Sequence, residues 1–166
     1  MRILIALPIL SLLLILQSAI FSRILLIHGM ADLVMLAIIA WSLQKSVRSA
    51  WQWCIIGGLL VSFVSAIPYG LPLLGYLVVT GITLLIRQQV RQVTIIVMFI
   101  STTIGTVLTQ IIDLIGMRIL GINISIINAI NLVTVPSLIL NLLLAIPFYA
   151  ILADLARLLY PVELEV

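Results

Sequence analysis

From Trp51 to Ile86 the chain carries no Asp, Glu, Lys or Arg. One short break divides this stretch, Ala66-Ile67-Pro68-Tyr69-Gly70-Leu71-Pro72. A helix needs roughly 20 residues to cross ~30 Å of hydrocarbon, and each arm is long enough with some tilt. Lipid offers the backbone no hydrogen-bond partners, so only helices and closed barrels span it. Neither arm alternates apolar and polar residues, which predicts two helices. Pro68 and Pro72 suit the turn because proline fixes φ and has no amide to donate. Gly70 adds the backbone freedom such a turn uses. The stretch therefore reads as a tight helical hairpin.

Composition points the same way. The chain is 64% hydrophobic and 8% charged, where a soluble domain is nearer ~25% charged. We expect an all-α integral membrane protein forming one transmembrane domain over residues 1–166. Six apolar runs supply its helices, near 3–20, 31–44, 51–67, 71–87, 93–114 and 129–159. The first run could pass for a secretory signal, but it is longer than the usual ~7–15 residues and no A-x-A site follows. The second run is short for a crossing, which takes ~17–25 residues. It opens at Asp32, which is placed to cap the first amides and to face the positive end of the helix dipole. The stretch between these runs, 21–30, reads as an interfacial or re-entrant segment.

The net charge of +3 does not suggest nucleic acid, because the cations stand at helix ends. With the N-terminus inside, Arg2, Lys45, Arg48, Arg87, Arg91 and Arg157 are cytoplasmic, and only Arg23 and Arg118 lie outside. This positive-inside bias puts both termini in the cytoplasm. Trp51 and Trp53 beside Lys45 and Arg48 read as a headgroup-level belt. The one cysteine, Cys54, leaves no internal disulfide and no thiolate cluster. His28 has no second imidazole or thiol for a metal site. No catalytic residue, metal ligand or cofactor-binding residue is expected.

Two patterns concern packing. Gly58, Ser62, Ala66 and Gly70 recur every four residues with Gly57 beside them, a small-residue ridge that lets another helix approach closely. In the fifth run Thr102, Thr106, Thr109 and Asp113 share a face, and in the sixth Asn131, Thr134 and Asn141 share another. Polar stripes should face protein or water rather than lipid. The simplest arrangement pairs the two.

Several motifs resemble the rod shape-determining protein MreD family. Ala31-Asp32-Leu33 is similar to that family's Pro-Asp-Leu opening of the second helix. Gly57-Gly58-Leu59-Leu60, continuing to Ser65-Ala66-Ile67-Pro68-Tyr69-Gly70, is similar to its glycine-rich third helix and hairpin. Val135-Pro136-Ser137 with Asn141 and Tyr149 resembles its last helix. Ala31, Ser62 and Ala66 depart from it, standing where the family often has proline, aspartate and glycine. The resemblance implies a bundle like the S-components of energy-coupling-factor transporters. It also implies the partners MreC, RodA, a class B penicillin-binding transpeptidase and MreB. On this reading the chain is a non-enzymatic scaffold in the bacterial cytoplasmic membrane. Asp32, Gly57, Gly58, Ser62, Ala66, Pro68, Gly70, Pro136 and Asn141 are its candidate packing or partner-contact residues.

The main rival is a vitamin-like small-molecule-binding subunit of an energy-coupling-factor transporter. Such subunits typically carry an Ala-x-x-x-Ala pattern in their first helix, which Ala6 and Ala19 do not form. Asp32, Asp113 and Asp154 lie apart in sequence, with no nucleophile–base spacing that would suggest an enzyme.

Overall fold

A computed structural model describes residues 5–21, 29–65, 67, 68, 70–90, 95–122 and 125–160. Among these residues the protein is all helical. The helices are α1 (Ala6–Phe21), α2 (Leu33–Leu43), α3 (Ala50–Val64), α4 (Leu71–Gln89) and α5 (Ile95–Ile119), followed by a long α6 (Ile126–Leu159). α6 contains a π-helical segment, Ala129–Thr134, near its start. The fifth helix, expected to end near residue 114, instead continues to Ile119. Gly116 in this extension packs directly against the Leu71 side chain at the start of α4.

Three helices, α4, α5 and α6, are long and apolar enough to cross a membrane. Against the expectation of six crossings, α1, α2 and α3 are shorter, at 16, 11 and 15 residues. The outer faces of the long helices are apolar. Ile96, Ile139, Leu143 and Ile151 are each 61–71% exposed, a surface suited to hydrocarbon rather than to water.

The centre of the fold is α2. Its sequence, LVMLAIIAWSL, is apolar on every side, and a helix of that kind has no face to offer water. All eleven residues are buried, and α2 packs against α1, α3, α4, α5 and α6. At ~1.5 Å per residue it is about 16 Å long. It is therefore too short to cross ~30 Å of hydrocarbon by itself.

The other helices run up and down around it. The last turns of α1, α3 and α5 and the first turns of α2, α4 and α6 meet around one cavity. At the opposite end, the close of α2 meets the start of α3 and the ends of α4 and α6. There Trp41 stacks on Trp53 with ring centroids 4.2 Å apart. Its indole Nε1 donates to Ser49 Oγ at 3.2 Å, and Tyr160 closes the cluster at 6.3 Å from Trp41. Trp53 is thus not a headgroup residue, as its neighbours in sequence suggest. It is fully buried, while Trp51 is 45% exposed.

The α3–α4 hairpin forms as expected, with Gly70 at φ 92° just before α4, a conformation that favours glycine. On α3, Gly57 and Gly58 serve different neighbours. A Cβ on Gly57 would meet Ile38 Cδ1 at 2.9 Å and Val34 Cγ1 at 3.0 Å, both on α2. A Cβ on Gly58 would come within 2.6 Å of Leu73 Cδ1 and 3.0 Å of Leu73 Cα on α4. Backbone cannot step aside as a side chain can, so Gly58→Leu should cost at least ~1–3 kcal/mol through overpacking. Ala150→Leu, which adds similar bulk at an exposed position of α6, should leave stability near that of the wild type. Unfolding of the three proteins in mixed micelles measures the difference. Equal stability for Gly58→Leu would contradict the packing described.

Candidate functional site

The first turn of α2 collects polar groups from four other helices. Asp32 caps it, with Oδ1 accepting the Met35 amide at 2.9 Å. This is the capping role expected from the sequence. The carboxylate also has a partner that the sequence did not reveal. The Tyr76 hydroxyl, from α4, lies 2.7 Å from each of its oxygens and shares one proton between them. The Asp32 amide donates to Asn141 Oδ1 on α6 at 2.8 Å. Asn141 Nδ2 in turn donates to Thr106 Oγ1 on α5 at 2.9 Å. Gln17 Oε1 on α1 accepts the Leu33 amide at 3.0 Å, and Ser137 Oγ on α6 accepts the Met30 amide at 3.0 Å.

The far end of α2 is closed by Arg87, counted above only as a cytoplasmic loop charge. Its Nη1 donates to the carbonyls of Ser42 and Gln44 at 3.0 Å each and of Val47 at 3.3 Å. A cation on the last carbonyls of a helix matches the negative end of its dipole.

Several of the expected packing or contact residues come together here. Asp32 and Asn141 share a hydrogen bond, and Pro136, next to Ser137 on α6, packs against Gly29. Gly29 lies so close to Pro136 that a Cβ on it would come within 2.5 Å of Pro136 Cβ and 2.6 Å of the Ser137 amide nitrogen. Gly57, Gly58 and Ser62 face inward on α3. Gly57 reaches α2 itself, while Gly58 serves the hairpin. Pro68 and Gly70 stay in the turn, away from this network. Ala66 and His28 lie outside the described residues. The expected pairing of polar stripes is realised at one point, Thr106 with Asn141. Asn131 is exposed, and Thr134 Oγ1 turns back to the Ala129 carbonyl at 3.2 Å. Tyr76 and Gln17 were missed. The signal available for them was a lone hydrogen-bonding side chain within an otherwise apolar run.

Beside this network lies a cavity of about 740 Å³. Apolar side chains form most of its wall, and the π-helical segment of α6 supplies one side. Its polar lining includes Asp32, Tyr76, Thr109, Gln110 and Asp113. No Lys, Arg or His lines it among the described residues. One carboxylate oxygen of Asp113 is buried without a hydrogen-bond partner among them, although the residue as a whole is partly exposed. No group of three His, Cys, Asp or Glu side chains that could hold a metal ion occurs among the described residues. The arrangement can accept hydrogen bonds and attract positive charge. Comparison with known protein families, curated proteins and solved structures found no match for this chain.

Removing the Tyr76 hydroxyl would leave the Asp32 carboxylate with less compensation in a buried place. Hydrogen bonds to charged groups contribute ~1.5–3 kcal/mol. Tyr76→Phe is expected to destabilise the protein by about that amount, and Asp32→Asn by less, because an amide oxygen can still cap. In a double-mutant cycle the two losses should be clearly non-additive. Additive losses would show that the pair does not act as a unit.

Proposed function

We propose that the chain is a non-enzymatic scaffold of the bacterial elongation machinery, embedded in the cytoplasmic membrane with both termini inside. It would help organise peptidoglycan synthesis and cell shape through MreC, RodA, a class B penicillin-binding transpeptidase and MreB. One observation carries most weight. One or two residues from each of three motifs that resemble the MreD family, separated in sequence, meet at the buried helix. Asp32 opens α2, Asn141 holds the Asp32 amide, Ser137 holds Met30, and Gly57 lets α3 lie against Val34 and Ile38. A resemblance made of scattered short motifs gains weight when those motifs build one feature.

Cysteines introduced at Ser46 and Ser125, in a chain with Cys54 replaced, test the orientation. The Ser125 site should react with an impermeant thiol reagent in intact cells, and the Ser46 site should not. The reverse pattern would overturn the orientation. Purification with tagged MreC tests the assembly, and the expected result is stoichiometric co-isolation. Depletion in a rod-shaped host should produce swollen, rounded cells.

The cavity favours a second reading, a small-molecule-binding subunit of an energy-coupling-factor transporter. Its volume falls within the ~300–1,000 Å³ of ordinary ligand sites. Co-isolation of a coupling subunit instead of MreC would establish that reading and remove the first.

A further inference from the structure

We infer that the cavity beside the start of α2 is a binding site for an organic ammonium ion carried on an apolar body. The inference goes beyond the scaffold reading and does not depend on it. Its first ground is charge. Two carboxylates, Asp32 and Asp113, line the same space, and the described lining holds no cationic side chain. The two are not equivalent. Asp32 is largely compensated by the Tyr76 hydroxyl and the Met35 amide, and it sits at the positive end of α2. Asp113 has no such support, since its Oδ1 is buried without a partner. An ionisable group inside an apolar, membrane-length helix is costly, and such groups face partners or cavities. Asp113 is among the residues that line this one.

The second ground is shape. Most of the wall is apolar, with Leu14, Met35, Val61, Leu114 and Met117 among the residues that form it. The acceptors are confined to a few positions, as in sites where polar groups fix the orientation of a mainly apolar ligand. An ammonium group has three donors and no acceptor, which suits a lining rich in oxygen acceptors. A carboxylate or phosphate alone would meet two like charges. The required chemistry is found both in the ethanolamine headgroup of a lipid and in a free amphipathic amine.

The test uses the full chain in a nonionic maltoside micelle. It is titrated calorimetrically with 4-phenylbutylamine and with 4-phenylbutan-1-ol, which has the same apolar body and no charge, each corrected for empty micelles. Charge-assisted hydrogen bonds are roughly twice as strong as neutral ones, so the amine should bind about tenfold more tightly than the alcohol. Asp113→Asn should remove that preference without lowering the unliganded Tm, and Asp113→Glu should restore the preference. Equal binding of amine and alcohol by the wild type would overturn the proposal, as would an undiminished preference in folded Asp113→Asn. The probe pair requires no variant, so a folding defect in one does not remove the test. Native mass spectrometry after incubation with phosphatidylethanolamine or phosphatidylglycerol of the same acyl chains separates the two sources. Selective retention of phosphatidylethanolamine, displaced by the amine, identifies a lipid headgroup. Amine binding without lipid retention identifies a free amine. Failure of both leaves the MreC experiment unaffected, because co-isolation does not require an occupied cavity.

Discussion

A buried helix that is too short to leave its surroundings must find partners for its own ends. α2 has eleven residues, all buried, yet any helix leaves about four amides and four carbonyls without internal partners. An unsatisfied buried group costs ~1–3 kcal/mol, and a folded protein is stable by only ~5–15 kcal/mol. A few orphaned groups would erase that margin. Every other helix supplies backbone or side-chain contacts around α2. Four of them place a polar side chain at its first turn or just before it: Gln17, Tyr76, Thr106 through Asn141, and Ser137 with Asn141. Arg87 answers for the other end. The bundle is thus tied to α2 at both ends by directional bonds and along its length by apolar contact.

The difference between those ties gives each a different task. Apolar burial is non-directional and tolerates sliding or rotation of one helix against another. Hydrogen bonds fix register, because a shift of one residue would separate Asn141 from both the Asp32 amide and Thr106. Gly57, Gly58 and Gly29 allow the approach that these bonds need, each in contact with a different neighbour. Replacing the Asp32–Tyr76 pair by apolar residues of similar volume would remove the cost of a buried charge. It would also remove one device that tells α2 where to begin.

Much of the architecture was legible in the sequence. The charge-free run from Trp51 to Ile86 showed the α3–α4 hairpin, and Asp32 before an apolar run showed the start of α2. The small residues on α3 showed an inward face. What was not legible follows from the same physics. In a chain this apolar, hydrophobic periodicity carries little information, because both lipid and protein interior accept Leu and Ile. The central position of α2 was visible only as a shortfall in length. Tyr76 looked like any aromatic residue in an apolar helix, and its role depends on Asp32, 44 positions away. Lys45 and Arg48, a few residues before it, suggest an interface for Trp53, whereas its neighbour in space is the buried Trp41. Arg87 was read for topology alone, although one guanidinium can both mark a membrane boundary and cap a helix.

The two ends of α2 also differ in how completely they are closed. At the C-terminal end, Arg87, Ser49, Tyr160 and the stacked tryptophans fill the space. At the N-terminal end, a cavity remains next to a network whose bonds are otherwise well matched. That space, about 740 Å³, is a partly open pocket where the ends of several helices meet. The π-helical segment of α6 lies in its wall, and such local widenings in α-helices occur frequently at functional sites. The polar network keeps that space open from one side, because Gln17, Tyr76 and Asn141 are committed to the start of α2 and cannot collapse inward. The same residues that position the central helix therefore line the cavity beside it, together with Asp113.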